Sequence, residues 1–287
     1  MGLPKGPRLF RLERLSVTYP GGVMALRPTS LVFEEGAFTV LLGHSGAGKS
    51  TLLRSLNGLV RPTGGEVHVA GHGRLPAAGA GLRAVRRDTG MVFQQHQLIG
   101  HLTATANVLA GRLGHHSPWR TLLPFSRADW RVALDALERV GVLDRALARV
   151  DRLSGGQQQR VGIARALAQT PRALLADEPV ASLDPATAAS VLDLLRTVCR
   201  ADGLTAIVSL HDVGLARRFA DRIVGLACGE VVFDGSPAAL DDAALARLYA
   251  AAPPPAAVAP EHAPNARPAP EEAPRPVTPG PDVLPAA

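Results

Sequence analysis

Residues 38–50 read FTVLLGHSGAGKS, an apolar run that leads directly into a glycine-rich loop. The loop, Gly43–Ser50, matches the pattern G-x-x-x-x-G-K-[ST], in which the glycines let backbone N–H groups point inward around phosphates. In such a loop Lys49 reaches the β- and γ-phosphates of a nucleotide, and the Ser50 hydroxyl coordinates Mg²⁺. Beyond the loop, leucines recur at helical spacing, at Leu52, Leu53, Leu56 and Leu59. Residues 38–59 therefore predict a strand, a phosphate-binding loop and a helix in succession.

Two further apolar runs predict buried strands, Ala173–Ala176 (ALLA) and Ala206–Leu210 (AIVSL). Apolar residues at helical spacing lie between these runs, at Val191, Leu192, Leu194, Leu195 and Val198. Strands that alternate with helices predict an α/β fold, in which helices cover a parallel sheet.

Other segments depart from this alternation. Residues 15–19 (LSVTY) alternate as in an antiparallel edge strand. Residues 222–235 (RIVGLACGEVVFDG) predict a hairpin that turns at Cys228-Gly229. Residues from about 95 to 150 show helical spacing without a strong strand, which predicts a mostly helical insertion in the sheet.

Polar residues close three of the apolar runs. Asp177-Glu178 ends ALLA, His211 ends AIVSL, and Gln94 follows the short run MVF. Alone, each signal is weak, because most Asp-Glu pairs are solvated surface and a lone histidine is more often structural. In a parallel sheet, however, ligands bind outside the carboxyl ends of the strands, the edge that also carries the glycine loop. There Asp177 suits Mg²⁺ through water, and Glu178 is placed to activate a water for attack on a γ-phosphate.

A second glycine-rich stretch, LSGGQ at residues 153–157, contains no lysine. Ser154 and Gln157 have the spacing of a capping box, so the simplest interpretation is the N-terminus of a helix. Two consecutive glycines, Gly155 and Gly156, leave the backbone more open than a cap requires, which favours the close approach of a phosphate. Taken locally, both interpretations stand.

The composition limits the classes of protein. The chain has 287 residues, of which 46% are hydrophobic and 20% charged, ordinary values for a globular protein. The net charge is +6, and arginine is spread along the chain rather than blocked, which disfavours a nucleic-acid footprint. The two cysteines lack metal or redox spacing. Without a signal-peptide core or a run near the ~18 apolar residues of a membrane span, we expect a soluble, cytoplasmic protein that can dock on a membrane.

The composition changes near residue 251. From there to residue 287 proline and alanine dominate, and such a segment cannot bury enough apolar surface to offset its chain entropy. We therefore predict one folded domain over residues 1–250 and a disordered tail over residues 251–287.

Taken in order, these motifs resemble those of the ATP-binding subunit of ABC transporters, over roughly residues 9–249. The elements are Tyr19 as the adenine-stacking aromatic, GHSGAGKS as Walker A, Gln94 as the Q-loop, LSGGQ as the signature, LLADE as Walker B, Ser182-Leu183-Asp184 as the D-loop and His211 as the switch. The insertion with GRLG and WR at residues 111–120 is similar to the ATPase of phosphonate importers, and other ABC importer ATPases typically lack it. Cys228 departs from that pattern, because Asp or Asn is common before Gly229.

The resemblance implies a P-loop NTPase (RecA-like) core with an antiparallel β subdomain and an α-helical subdomain inserted at about residues 95–165, all within an ATPase domain at 1–250. It implies ATP and Mg²⁺ as cofactors. Glu178, His211 and Gln94 would be catalytic. The metal would be held by Ser50, Gln94 and Asp177. The ATP-binding residues would be Tyr19, Gly43, His44, Ser45, Gly46, Ala47, Gly48, Lys49, Ser50, Thr51, Ser154, Gly155, Gly156 and Gln157.

The resemblance also implies an assembly. Two copies would meet head to tail as a homodimer, with each ATP between the phosphate loop of one copy and LSGGQ of the other. The pair would bind two transmembrane permease subunits at the cytoplasmic face of the inner membrane, together with a periplasmic or surface solute-binding protein and without nucleic acid. The implied function is ATP hydrolysis that powers uptake of phosphonate or a related phosphorus oxyanion. Two alternatives remain open, an importer ATPase for another solute and a soluble non-transport ABC ATPase.

Overall fold

Two β-sheets organise residues 6–249, the part of the chain that the computed structural model describes apart from residues 77, 95–96, 118 and 121–122. The strands are β1 (Arg8–Thr18), β2 (Met24–Glu34), β3 (Phe38–Leu42), β4 (Gly64–Val69), β5 (Gly73–Arg74), β6 (Thr89–Val92), β7 (Ala173–Ala176), β8 (Thr205–Leu210), β9 (Arg222–Ala227) and β10 (Glu230–Gly235). The predicted strands at β3, β7 and β8 are confirmed.

The larger sheet has the order β10-β9-β3-β8-β7-β6, and its strands run parallel except for β10, which pairs antiparallel with β9. Every residue of β3, β7 and β8 is buried, because helices or the second sheet cover both faces. Alternate residues serve different cores. Leu174 and Ala176 face one apolar cluster, whereas Leu175 faces the other.

The smaller sheet is antiparallel, with the order β2-β1-β4-β5. Its inner face, which includes Leu12 and Leu15, packs with Leu52 and Leu53 of the helix after the glycine loop. The antiparallel strand predicted near the start of the chain is therefore present as β1. The expectation that it lies at an edge is wrong, because β2 and β4 flank it on both sides. An alternating pattern reports that one face is buried, and interior and edge strands of a one-sided sheet share this property.

The helices cover the larger sheet and build the region between β6 and β7. They are α1 (Lys49–Leu56), α2 (Gly79–Asp88), α3 (Ala104–Leu109), α4 (Arg127–Arg139), α5 (Gly155–Leu167), α6 (Pro185–Asp202), α7 (Val213–Phe219) and α8 (Asp242–Tyr249), with short 3-10 helices at 110–115, 143–145, 150–152 and 237–239. Helices α3, α4 and α5 pack on one another. This cluster is the predicted helical insertion, as far as the described residues extend.

Two further expectations concern membrane-spanning segments and the tail at residues 251–287. Within the described residues, none of the helices combines the length and the apolar character needed to cross a bilayer. The predicted tail at 251–287 lies outside the described residues, so the boundary at residue 250 stays a prediction.

The predicted hairpin is formed by β9 and β10. Its two turn residues both have left-handed backbone, with φ of 49° at Cys228 and 79° at Gly229. A two-residue type I′ turn matches the twist of the flanking strands and requires positive φ at both central residues. At the first of these positions, Asn or Asp adopts positive φ with less strain than most other residues. The departure noted at Cys228 is therefore a place where this chain accepts a small backbone strain.

One buried charge joins the helices of the insertion. Asp129 of α4 is 3% exposed, and its carboxylate accepts hydrogen bonds from Ser126 Oγ at 2.6 Å and Arg112 Nε at 3.1 Å. Arg112 also donates to the carbonyl of Ala168, just after α5, at 2.9 Å. Burial by itself would raise the pKa of Asp129, but the hydrogen bonds from Ser126 and Arg112 outweigh it and hold this pKa well below its usual range. The ionised carboxylate thus links α4 to the end of α5.

We expect Asp129→Asn to lower the free energy of unfolding by about 2–3 kcal/mol at pH 7, because it leaves the largely buried Arg112 without its charged partner. Because the carboxyl has a lower pKa in the folded chain, its contribution is present above the ordinary aspartate pKa and is lost as the pH falls. The difference between wild type and variant should therefore shrink below about pH 4. Urea unfolding across pH measures it, with the exposed Asp135→Asn on the same helix as the control. Equal losses in the two variants would contradict the assignment.

Candidate functional site

The phosphate loop, Gly43–Ser50, connects β3 to α1, and its backbone takes a shape that only glycine permits at two points. Gly43 and Gly48 have φ of 154° and 101°. A Cβ at Gly43 would lie 2.2 Å from the carbonyl oxygen of Leu226, and one at Gly48 would lie 2.5 Å from that of Ala25. These glycines are required by close backbone packing against β9 and β2, independently of any bound phosphate.

Lys49 lies inside the loop, with 3% of its side chain exposed. Its Nζ donates to the carbonyl oxygens of Gly43 at 2.8 Å and His44 at 2.9 Å, and lies 3.4 Å from Oε1 of Glu178. Burial lowers the pKa of Lys49, while the charges of Glu178 and Asp177 oppose this change. The ammonium group is thus held at the centre of the loop, next to the carboxylate of Glu178, which follows β7.

Asp177 follows β7 and is 1% exposed, so its charge must be paired within the fold. Its Oδ1 accepts hydrogen bonds from Ser50 Oγ at 2.7 Å and Ser209 Oγ at 3.1 Å. Its Oδ2 lies 3.2 Å from Nη2 of Arg54, one turn beyond Ser50 on α1. These contacts join the first two turns of α1 to the ends of β7 and β8.

The donor atoms around Asp177 fit a magnesium ion. A hydroxyl and a carboxylate oxygen that lie 2.7 Å apart, Ser50 Oγ and Asp177 Oδ1, are the hard oxygen ligands that Mg²⁺ prefers. The amide of Gln94 offers a further oxygen, because the other side of that amide already points to Glu178. The chemistry of these donors suits Mg²⁺, and the roles of Ser50, Asp177 and Gln94 as metal ligands stay predictions.

Glu178 has an unusual backbone for a non-glycine residue, with φ of 44°. Its N–H donates to Ser209 Oγ at 2.8 Å, and its Oε2 accepts from Gln94 Nε2 at 3.3 Å. A residue held in this conformation costs on the order of 1 kcal/mol and persists where the surroundings over-determine it. With this backbone, the Glu178 carboxylate contacts both Lys49 and Gln94.

The strand order explains why these residues meet. Strands β3, β8, β7 and β6 are parallel neighbours, with Leu42 opposite Leu210 and Ala176 opposite Val92. Their carboxyl ends therefore carry the phosphate loop, His211, Asp177-Glu178 and Gln94 side by side. The structure thus brings together at one edge the residues that the sequence analysis selected there, and their chemical roles remain predictions.

Tyr19 lies just after β1, and its hydroxyl is 3.2 Å from Oγ1 of Thr51 at the start of α1. The aromatic ring is therefore next to the phosphate loop. Its role as the adenine-stacking residue stays a prediction.

Ser154 and Gln157 form the predicted capping box of α5. Ser154 Oγ accepts from the Gln157 N–H at 3.3 Å, and the Gln157 side chain accepts from the Ser154 N–H at 3.0 Å. Among the described residues, no hydrogen bond joins this cap to the phosphate loop of the same chain. A Cβ at Gly156 would lie 2.7 Å from Cγ2 of Thr187 on α6, whereas one at Gly155 would make an ordinary contact. Packing within the chain thus requires one of the two glycines, and the openness of the cap is only partly evidence for a phosphate.

Three residues that the sequence analysis did not select also contact the site. Ser209 bonds both Asp177 and the Glu178 backbone, and it could have been noticed as the polar residue within the apolar run AIVSL. Arg54 follows Ser50 at the helical interval of four, which places both on one face of α1. Tyr249 lies near the loop at the end of α8, and no local pattern indicated it.

Comparisons with known proteins show the family of this chain. The family model described as ABC transporter matches residues 26–181. The chain is 63% identical over 242 residues to the phosphite import ATP-binding protein of Stutzerimonas stutzeri. This alignment covers 84% of this chain and 87% of the relative. It is 58% identical over 241 residues to a phosphonates import ATP-binding protein of Nostoc sp., covering 84% of this chain and 92% of the relative.

Solved structures show the same fold. The chain is similar to cbiO1 of Clostridium perfringens, part of an ABC transporter complex, with a TM-score of 0.73, 27% identity and coverage of 84% of this chain and 94% of that chain. A dimeric ATP-binding cassette in a post-hydrolysis state with ADP and Pi gives a TM-score of 0.70 at 36% identity, covering 80% of this chain and 99% of that chain. The predicted α/β fold, a P-loop NTPase core with an antiparallel β subdomain and a helical subdomain, is confirmed. This chain belongs to the ABC transporter family of ATP-binding proteins.

Proposed function

We propose that the chain is the ATP-hydrolysing subunit of an importer that takes up a phosphonate or a related phosphorus oxyanion through partner membrane subunits. One observation carries the ATPase part of the proposal. The Ser50 hydroxyl donates to the Asp177 carboxylate at 2.7 Å, next to Glu178 and Lys49 at the mouth of the phosphate loop, and this contact supports a magnesium ligand set there. The import part is supported by the names of the relatives that match most of this chain.

The residues of the edge divide the chemistry between them. Backbone N–H groups of the loop and Lys49 bind the phosphates, and Ser50, Asp177 and Gln94 would hold Mg²⁺, which would supply positive charge to the phosphates. Glu178 Oε1, 3.4 Å from Lys49, is released as Lys49 turns to the phosphates, and it then accepts a proton from the attacking water. Gln94, bonded to the same carboxylate, holds it in place. His211 follows β8, the strand next to β7, and would stabilise charge on the γ-phosphate.

Two copies would complete the site. Ser154 and Gly155 are exposed at the N-terminus of α5, a helix of 13 residues whose first N–H groups favour an anion. The similar cassette with ADP and Pi is a dimer. We infer a head-to-tail homodimer in which Ser154, Gly155, Gly156 and Gln157 of one copy face the nucleotide in the phosphate loop of the other.

The proposed function also includes the membrane subunits and the solute-binding protein of a transporter. The ATPase domain spans residues 1–250, and its helical subdomain at about 95–165 touches a permease subunit, so that closure of the dimer is coupled to the membrane. Two permease subunits and a solute-binding protein complete the transporter, with this chain bound at the cytoplasmic face of the membrane. Gln94 links the two regions, because it bonds Glu178 and directly precedes the helical subdomain.

Two solutes are supported by the relatives. Phosphite stands in the name of the relative at 63% identity, and phosphonates stand in that of the relative at 58%. The test is ATP hydrolysis by the complete transporter in vesicles, with its binding protein loaded with phosphite, a phosphonate or phosphate. We expect stimulation by phosphite or a phosphonate. Stimulation by phosphate alone would select that oxyanion over the two named solutes, and stimulation by none of the three would favour an importer ATPase for another solute. Failure to purify with a multispanning membrane subunit would favour the soluble ABC ATPase.

We expect Glu178→Gln to bind ATP within about threefold of wild-type affinity and to lower kcat at least about 100-fold, because the amide cannot accept the proton of the attacking water. Steady-state phosphate release and nucleotide titration measure the two effects. Glu138→Gln, an exposed carboxylate of α4, serves as the matched control. Hydrolysis near the wild-type rate in Glu178→Gln would remove the general-base assignment.

Ser154→Arg should leave ATP affinity of the single subunit unchanged while preventing ATP-dependent dimers, because a long cation fills the space where the second copy must approach. The measurement is sedimentation with and without ATP, in the Glu178→Gln background so that the nucleotide persists. Ser117→Arg, at another exposed serine, controls for the added charge. Dimers that still form with Ser154→Arg would contradict the composite site.

A further inference from the structure

Helix α8 reaches the proposed ATP site through its last described residue. The Tyr249 hydroxyl donates a hydrogen bond to the carbonyl oxygen of His211 at 3.2 Å. The Tyr249 ring also meets the imidazole of His44 edge-on, with centroids 4.5 Å apart and planes at 85°. One side chain of α8 therefore contacts both the second residue of the phosphate loop and the residue at the end of β8.

The position of Tyr249 is fixed by the residue before it. Leu248 is fully buried and packs on Gly225 of β9, where a Cβ would lie 2.7 Å from Leu248 Cδ2. Ala244, one turn earlier on α8, is buried too. Because β9 is the direct neighbour of β3, this packing holds the end of α8 beside the phosphate loop.

His211 is held on both sides of its Cα while its side chain stays accessible. β8 ends at Leu210, and Asp212 caps α7 by accepting from the Leu215 N–H at 2.6 Å. The bond from Tyr249 fixes the carbonyl between these two anchors. Burial, with a smaller effect from Asp212, raises the pKa of Tyr249, so the hydroxyl remains a donor.

The contact with His44 has a second consequence. Nε2 of His44 is buried and has no hydrogen-bond partner among the residues that the structure describes. The imidazole is therefore held at this nitrogen by packing rather than by a hydrogen bond, and the edge-on ring of Tyr249 supplies a favourable part of that packing. The backbone of His44 in turn accepts from Lys49, which connects Tyr249 to the phosphate-binding ammonium.

We infer that Tyr249 is a positioning residue of the proposed ATPase. Its hydroxyl sets the orientation of the His211 peptide, and hence the direction of the switch imidazole. Its ring supports the phosphate loop through His44. The inference rests on the proposed function, because it assigns Tyr249 an effect on turnover through His211.

The test uses the full chain with Tyr249→Phe, Tyr249→Ala and, as the matched control, Arg247→Gln at an exposed position of the same helix. Tyr249→Phe removes one hydrogen bond and keeps the ring, so kcat should fall about 3- to 10-fold with an unchanged KM for ATP and a melting temperature within a few degrees of wild type. Tyr249→Ala should also raise KM, because His44 loses its ring contact. Arg247→Gln should behave as wild type.

A double-mutant cycle separates positioning from a general structural effect. In the His211→Ala background, where no imidazole remains to be oriented, Tyr249→Phe should have no further effect on single-turnover hydrolysis. An equal loss in both backgrounds would overturn the inference, as would an unchanged kcat in Tyr249→Phe. A loss of kcat that vanishes when each variant is assayed well below its own melting temperature would also overturn it. If wild type itself fails to hydrolyse ATP while Glu178→Gln behaves identically, the proposed function fails, and the inference with it.

Discussion

The buried carboxylate of Asp177 is the constraint on which the rest of the site depends. It is 1% exposed, and a charge removed from water costs several kcal/mol unless partners replace the lost hydration. Ser50, Ser209 and Arg54 are those partners, and they come from α1 and β8. Satisfying Asp177 therefore fixes the start of α1, and with it the phosphate loop, against the ends of β7 and β8. The same contact that stabilises the sheet edge assembles the proposed magnesium ligands.

Around this anchor the chain accepts local strain where the chemistry is proposed to occur. Glu178 has a left-handed backbone, and the ammonium of Lys49 is buried among carbonyl oxygens. Both groups are held by neighbours that fold for other reasons, namely Ser209 on a fully buried strand and the glycine loop packed on β9 and β2. Such groups are oriented before a ligand arrives, which lowers the cost of ordering them during the reaction.

The second glycine-rich stretch shows how a local argument can overreach. Its consecutive glycines suggest a backbone opened for a phosphate, yet Thr187 of α6 explains the absence of a side chain at Gly156. What supports a ligand at this cap is therefore the exposure of Ser154 and Gly155 together with the dimeric form of a similar cassette. The stretch serves the fold and the proposed assembly at once, because Gly156 packs closely on α6 while the neighbouring Ser154 and Gly155 stay exposed.

The sequence by itself determined the strand–loop–helix unit, the parallel core strands, the hairpin at β9 and β10, and the residues at the strand ends. These features depend on local patterns, namely apolar runs, helical spacing and turn residues. Such patterns can be recognised in the sequence without knowledge of the tertiary structure. Only the tertiary structure decided that β1 is an interior strand, that Ser209 and Arg54 complete the environment of Asp177, and that Tyr249 meets His44 and His211. Each of these features depends on strand order and helix packing, which bring together residues that lie far apart in the sequence. Residue 249 lies 205 positions from His44, whose ring it contacts, and no spacing rule extends over that distance.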